Sequence, residues 1–101
     1  MIDVRLVTDS HAERRIITAS GHAGKAPKGA DVVCAGISAL LYGFLYYLSG
    51  RYGDMLVWSE DEDSLSMCFP SDSEESYEVI KASLRLMADS YPQYVRLQES
   101  R

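Results

Sequence analysis

Cysteine is scarce: the chain of 101 residues has two, Cys34 and Cys68. Two thiols so far apart make no disulfide framework, and the opening "MIDVRLVTDS" has no signal-peptide pattern. A reducing, cytoplasmic setting is therefore expected. Histidine is equally sparse, at two residues. Zinc needs three or four ligands, and His22, Cys34 and Asp31 are the only local candidates, so neither a metal nor a cofactor is expected. Clustered Lys/Arg is absent as well, which argues against direct nucleic-acid binding through phosphates. No repeat, low-complexity stretch or linker divides residues 1–101, which read as one domain. At this length roughly 65% of the unfolded surface can be buried.

Charge is also missing from Val32 to Gly50, a stretch near the length of a membrane-spanning helix. Ser38, Ser49, three glycines and three tyrosines interrupt it, and no second span exists, so a buried core helix is the expected reading and no membrane is implied. What charge there is lies unevenly. Residues 1–53 hold six Lys/Arg against four Asp/Glu, a balance of +2, and residues 54–101 hold four against eleven, a balance of -7. An acidic half would steer a basic protein partner toward it. The short runs "EDED" at Glu60–Asp63 and "DSEES" at Asp72–Ser76 are themselves read as a solvated turn and a solvated helix start.

What is present is ordered patterning. "IDVRLVT" alternates Ile2, Val4 and Leu6 with Asp3, Arg5 and Val7, which is strand periodicity. "DSHAE" is a turn that leaves His11 on the surface, and "RRIITASG" returns as a second strand, so residues 2–20 form a hairpin. In "DVVCAGISALLYGFLYYLS", Val33, Ile37, Leu40, Leu41, Phe44, Leu45 and Leu48 recur at helical spacing, with Asp31 as the expected N-cap. Tyr42 and Tyr46 add a second apolar stripe, so the helix should be covered on two sides, the second by another subunit. "DMLVWS" and "SLSMCF" predict two more strands, with Cys68 structural. "DSEESYEVIKASLRLMADSYP" predicts a second helix capped by Asp72 or Ser73, with Tyr77, Ile80, Leu84, Met87 and Tyr91 on one face. "QYVRL" is a candidate last strand. The order ββαββα, with a possible final β, predicts an α+β sandwich with a mostly antiparallel sheet and two helices.

The chemistry concentrates in "SGHAGKAPKGADVVCAGISALL", Ser20 to Leu41. With Asp31 as N-cap, Cys34 is the third helical residue, where unpaired amides and the helix dipole favour a thiolate and could hold an oxyanion. His22, twelve positions earlier at a strand end, would supply the base that activates the thiol and the acid that protonates a leaving amine. The segment between them, "AGKAPKGA", has the composition of a lid, and Lys25 and Lys28 would further favour the thiolate. On spacing alone, a buried cysteine acting as a small hydrophobe stands beside the catalytic reading.

"GHAGKAPKGADVVCAGISAL" resembles the signature of the ribosomal-processing cysteine protease family, Prp. Gly21, His22, Ala23, Gly29, Asp31, Val33, Cys34, Ala35, Ser38 and Ala39 fit its pattern, and the resemblance extends to the closing "YPQYVRL". It implies a cysteine endopeptidase with a His22–Cys34 dyad that removes the N-terminal extension of large-subunit ribosomal protein number twenty-seven, and a homodimer. Asp31 matches as a cap that shapes the site. Ser38, one turn after Cys34, either hydrogen-bonds near the dyad or allows close packing. Gly21, Ala23, Gly24, Lys25, Lys28 and Gly29 fall in the segment that would close on substrate. Gly36 stands where a small aliphatic residue is more usual. A non-catalytic assembly or binding module using the same groove is the competing reading.

Overall fold

The computed structural model describes the backbone of residues 1–21, 28–72 and 74–101, with the side chains of all these except 28–31. Five strands and two helices follow the order β1 (Ile2–Asp9), β2 (Arg14–Ser20), α1 (Lys28–Tyr52), β3 (Val57–Glu60), β4 (Ser64–Pro70), α2 (Glu74–Ser90) and β5 (Val95–Ser100). The sheet order is β3-β4-β2-β1-β5. All neighbouring strands are antiparallel except β1 and β5, which are parallel. This is the expected α+β sandwich with a mostly antiparallel sheet, and the candidate last strand is present at its edge.

The alternation read in β1 is realised as burial. Ile2, Val4 and Leu6 point inward, joined by Ile17 and Ala19 of β2 and by Leu65, Met67 and Phe69 of β4. Both helices contribute to this same cluster, so they cover one face of the sheet. From α1 come Val33, Ile37, Leu41, Phe44, Leu45 and Leu48; from α2, Tyr77, Ile80 and Leu84. Phe44 meets Phe69 edge-on at 5.5 Å between centroids, tying α1 to β4. Arg15 is buried with its guanidinium 3.7 Å from the centroid of the Tyr77 ring, and it donates to both oxygens of Glu74 at 2.8 and 2.7 Å. That pair fixes the start of α2 to β2.

Two local expectations change. Helix α1 begins at Lys28, so Asp31 lies inside it, not at its N-cap. A β-strand from "DMLVWS" is shortened, because Gly53–Met55 form a 3-10 turn and the strand starts at Val57. For α2, Asp72 precedes the helix by two positions, and Ser73 lies outside the described residues. Within the chain, the second apolar stripe of α1 is uncovered: Tyr46 is 85% exposed and Tyr42 45%.

Candidate active site

The open end of the sheet, the first turns of α1 and the β3–β4 turn enclose a cleft of about 160 Å³. Cys34, Ser38 and Tyr42 face it from successive turns of α1, as their spacing of four dictates. Ile37 and Leu41, both in the core, form its floor together with Ile2 and Leu65. Ser20 and Gly21 at the end of β2 and the turn residues Asp61 to Ser64 complete the rim. Cys34 is half-buried and its thiol is free, so the sulfur borders a space with an apolar floor and a polar edge.

Gly21 is determined sterically. Its φ is 91°, and a Cβ built there would lie 2.4 Å from the carbonyl oxygen of Met1. Only glycine adopts that conformation at low cost. The Gly21 N–H donates to the Asp63 carbonyl at 3.0 Å, which joins the β2 exit to the acidic turn.

That turn is internally bonded. The Asp61 carboxylate accepts from the Asp63 N–H at 2.9 Å and from the Ser64 hydroxyl at 3.0 Å, and the Asp61 N–H donates to the Ser64 carbonyl at 3.0 Å. The Asp63 amide, then the Ser64 hydroxyl, hold the Asp61 carboxyl below its ordinary value. On the helix side, the Tyr42 hydroxyl donates to the Glu60 carboxylate, and this bond to a carboxylate pushes the phenol upward. The bond links α1 to the end of β3 and closes that end of the cleft.

The sequence-derived candidates distribute as follows. Cys34, Ser38 and Gly21 share the cleft. Lys28, Gly29 and Asp31 belong to the first turn of α1, so the segment before the helix is shorter than the composition suggested. His22, Ala23, Gly24 and Lys25 lie outside the described residues. The start at Lys28 also makes Cys34 the seventh helical residue. Cys34 thus lies past the first turn of α1, so neither its own N–H nor the first-turn dipole acts on the sulfur as the N-cap reading assumed. Among the described residues, no three His, Cys, Asp or Glu side chains gather as metal ligands.

The residues that sequence reasoning passed over are those of the acidic turn. "EDED" looked like a solvated turn, and its carboxylates are indeed exposed. Its place at the cleft follows from the register of β2 with β4, which sets Ser20 opposite Ser64. Such a non-local pairing leaves no mark on the turn itself.

Cys68, read as structural, accepts from the Arg14 Nε at 3.3 Å on β4, while the same guanidinium donates to the carbonyls of Cys68 at 3.2 Å and Met55 at 2.6 Å. The bonds join β2, β4 and the 3-10 turn, away from the cleft.

Comparison with known proteins agrees with this architecture. The family model described as Cysteine protease Prp matches residues 1–96. The ribosomal processing cysteine protease Prp of Mycoplasma pneumoniae is 32% identical over 90 residues, covering 84% of this chain and 87% of that protein. The structure of Prp from S. aureus with a substrate peptide superposes with a TM-score of 0.82 at 21% identity, covering 98% of this chain and 99% of that one. A second S. aureus structure, with a covalently linked product peptide, gives a TM-score of 0.80 at 23% identity, covering 98% of this chain and 99% of that one. The family model over residues 1–96 and the 32% identity to a Prp relative over most of both chains make this chain, with its free cysteine on a cleft, a member of the Prp cysteine protease family.

Proposed function

We propose that this protease removes the N-terminal extension of large-subunit ribosomal protein number twenty-seven, with Cys34 as nucleophile and His22 as its base. The observation that carries this reading is that the free thiol of Cys34 opens on the same cleft as Gly21, whose next residue in the chain is His22. A family relative named for ribosomal processing supports the substrate class.

The steps follow from the groups at hand. The His22 imidazole takes the thiol proton, and the sulfur attacks the scissile carbonyl carbon. The tetrahedral intermediate collapses as the C–N bond breaks, and the imidazolium gives its proton to the departing amine. Water then attacks the thioester, with His22 accepting its proton, and the sulfur leaves as the acid product forms. The cleft's apolar floor of Ile37, Leu41, Ile2 and Leu65 suits a bulky apolar side chain next to the cleaved bond. Ser38, on the next turn after Cys34, offers a hydroxyl toward the bound peptide. Asp31 acts through the first turn of α1.

The exposed Tyr46 stripe of α1 supports a homodimer, in which a second copy covers it. Two free thiols suit a cytoplasmic enzyme.

The test uses an unstructured peptide copying the extension, with products identified by mass spectrometry. Cys34→Ala should abolish cleavage yet retain peptide binding, because little volume is lost. His22→Ala should lose about 10²–10⁴-fold in rate, the usual worth of a general acid–base. Cleavage of the peptide at the wild-type rate by either variant would refute the dyad, and failure to cut this peptide while cutting others would refute the substrate.

A further inference from the structure

Helix α1 sets the length of the cleft. Cys34, Ser38 and Tyr42 all line it, and the eight residues from Cys34 to Tyr42 advance about 12 Å along the helix axis. The Tyr42 hydroxyl donates to the Glu60 carboxylate, so a helix side chain and the last residue of β3 meet across the far end. Glu60 is the register partner of Leu65, a floor residue, and Leu41 of the floor directly precedes Tyr42. The far end is thus a patch of apolar floor, Leu41 with Leu65, backed by a polar bridge between two exposed residues.

We propose that the Tyr42–Glu60 bridge is a specificity determinant, limiting the size of the peptide side chain held three to four residues from the cut bond. This rests on the reading of Cys34 as the nucleophile. An extended peptide advances about 3.3–3.6 Å per residue. A peptide with its scissile carbonyl at Cys34, running along α1, therefore brings its third or fourth residue to Tyr42. The Leu41–Leu65 floor takes an apolar side chain there. A cleft of about 160 Å³ shared along this run leaves each side chain little room, so leucine fits and an indole meets the bridge. The Tyr42 ring lies too far along the helix to touch the reacting carbonyl. The pair acts on which peptide binds, and the chemistry stays at the other end.

The experiment uses a peptide library built on the extension sequence, with leucine or tryptophan placed singly at each of the four positions on either side of the cut bond. Wild type, Tyr42→Ala, Tyr42→Phe, Glu60→Ala, Glu60→Gln and Cys34→Ala are compared as full chains, each checked for folding by circular dichroism. Wild type should prefer leucine to tryptophan by about tenfold or more in kcat/KM at the third or fourth position on one side. Tyr42→Ala should erase that preference, with the gain for tryptophan in KM and not in kcat. Selectivity at the residue beside the cut bond should not follow it. Tyr42→Phe, which keeps the ring and loses the bond, should relax part of the way, and Glu60→Ala should match it. Glu60→Gln keeps an acceptor oxygen and should restore the preference.

A folded Tyr42→Ala protein that still refuses tryptophan at that position would overturn the proposal. So would a wild type indifferent to size at all of these distal positions, or a relaxation equal at every position, which a general loosening produces. Glu60→Ala behaving as wild type beside a relaxed Tyr42→Ala would leave the ring as the wall and remove the bridge. If Tyr42→Ala fails to fold, Tyr42→Phe and Glu60→Ala decide. Cys34→Ala separates the two levels: continued cleavage there refutes the nucleophile itself. Lost cleavage there, beside unchanged selectivity in the Tyr42 and Glu60 variants, refutes only the bridge.

Discussion

Gly36, two residues after Cys34, offers a test of how α2 supports the nucleophile's helix. A Cβ at Gly36 would lie 2.9 Å from Cε of Met87 and 3.7 Å from its sulfur. Replacing a mid-helix glycine with alanine ordinarily stabilises by about 1 kcal/mol. Here the new methyl must displace the end of Met87, and an off-rotamer side chain costs about 0.5–1.5 kcal/mol. The two effects nearly cancel, so Gly36→Ala should change stability by less than about 0.5 kcal/mol. In a Met87→Ala background the obstacle is gone, and the same substitution should then yield its full gain of about 1 kcal/mol. The double-mutant cycle should thus show a coupling of about 1 kcal/mol. Urea denaturation at constant slope is the assay. Additivity within about 0.3 kcal/mol would mean that α2 does not press on this turn, and the packing described here would be wrong.

Further expectations concern reactivity, pH and assembly. A limiting dose of iodoacetamide near neutral pH should label Cys34 before Cys68, and the preference should shrink in His22→Ala; equal labelling of the folded wild type would deny an activated thiol. Asp3 receives hydrogen bonds from Arg96 on β5, which, ahead of the opposing desolvation, hold its carboxyl below the ordinary value of 3.8. Its contribution is therefore present above that value and is lost as pH falls through the lowered one. Asp3→Asn should be less stable than wild type at pH 7, with the gap closing in acid; a gap independent of pH would remove the ion pair as its cause. Light scattering should report a dimer, and Tyr46→Glu, a charge placed on a residue 85% exposed in the single chain, should yield monomers. A wild-type monomer at micromolar concentration would leave the stripe without a partner copy.

Most of the fold was legible because its signals are local. The two-residue alternation of β1 and β4 and the apolar spacing of Val33 to Leu48 map directly onto buried faces. The N-terminus of α1 was misplaced by one turn because Asp31, a good capping residue, follows Lys28 to Ala30, which nothing in their types forbids from helix. The parallel pairing of β5 with β1 could not be read from the chain, since pairing partners separated by over 90 residues leave no short-range mark. At the cleft, Cys34 was marked by the motif, while the acidic turn was not legible as part of its rim. Its place at the cleft depends on the β2–β4 register and on a bond to a backbone carbonyl, and a carbonyl has no residue type to recognise.

The central claim is covalent chemistry at Cys34, and the most direct measurement is the mass of the enzyme itself during turnover. The full chain is mixed with the extension peptide, quenched in acid within the first turnover and digested. The account predicts a thioester adduct on the fragment containing Cys34, equal to the N-terminal product less one water, absent in Cys34→Ala and unchanged by mutation of Cys68. Peptide cleavage without any adduct on Cys34, continuing in Cys34→Ala, would contradict it.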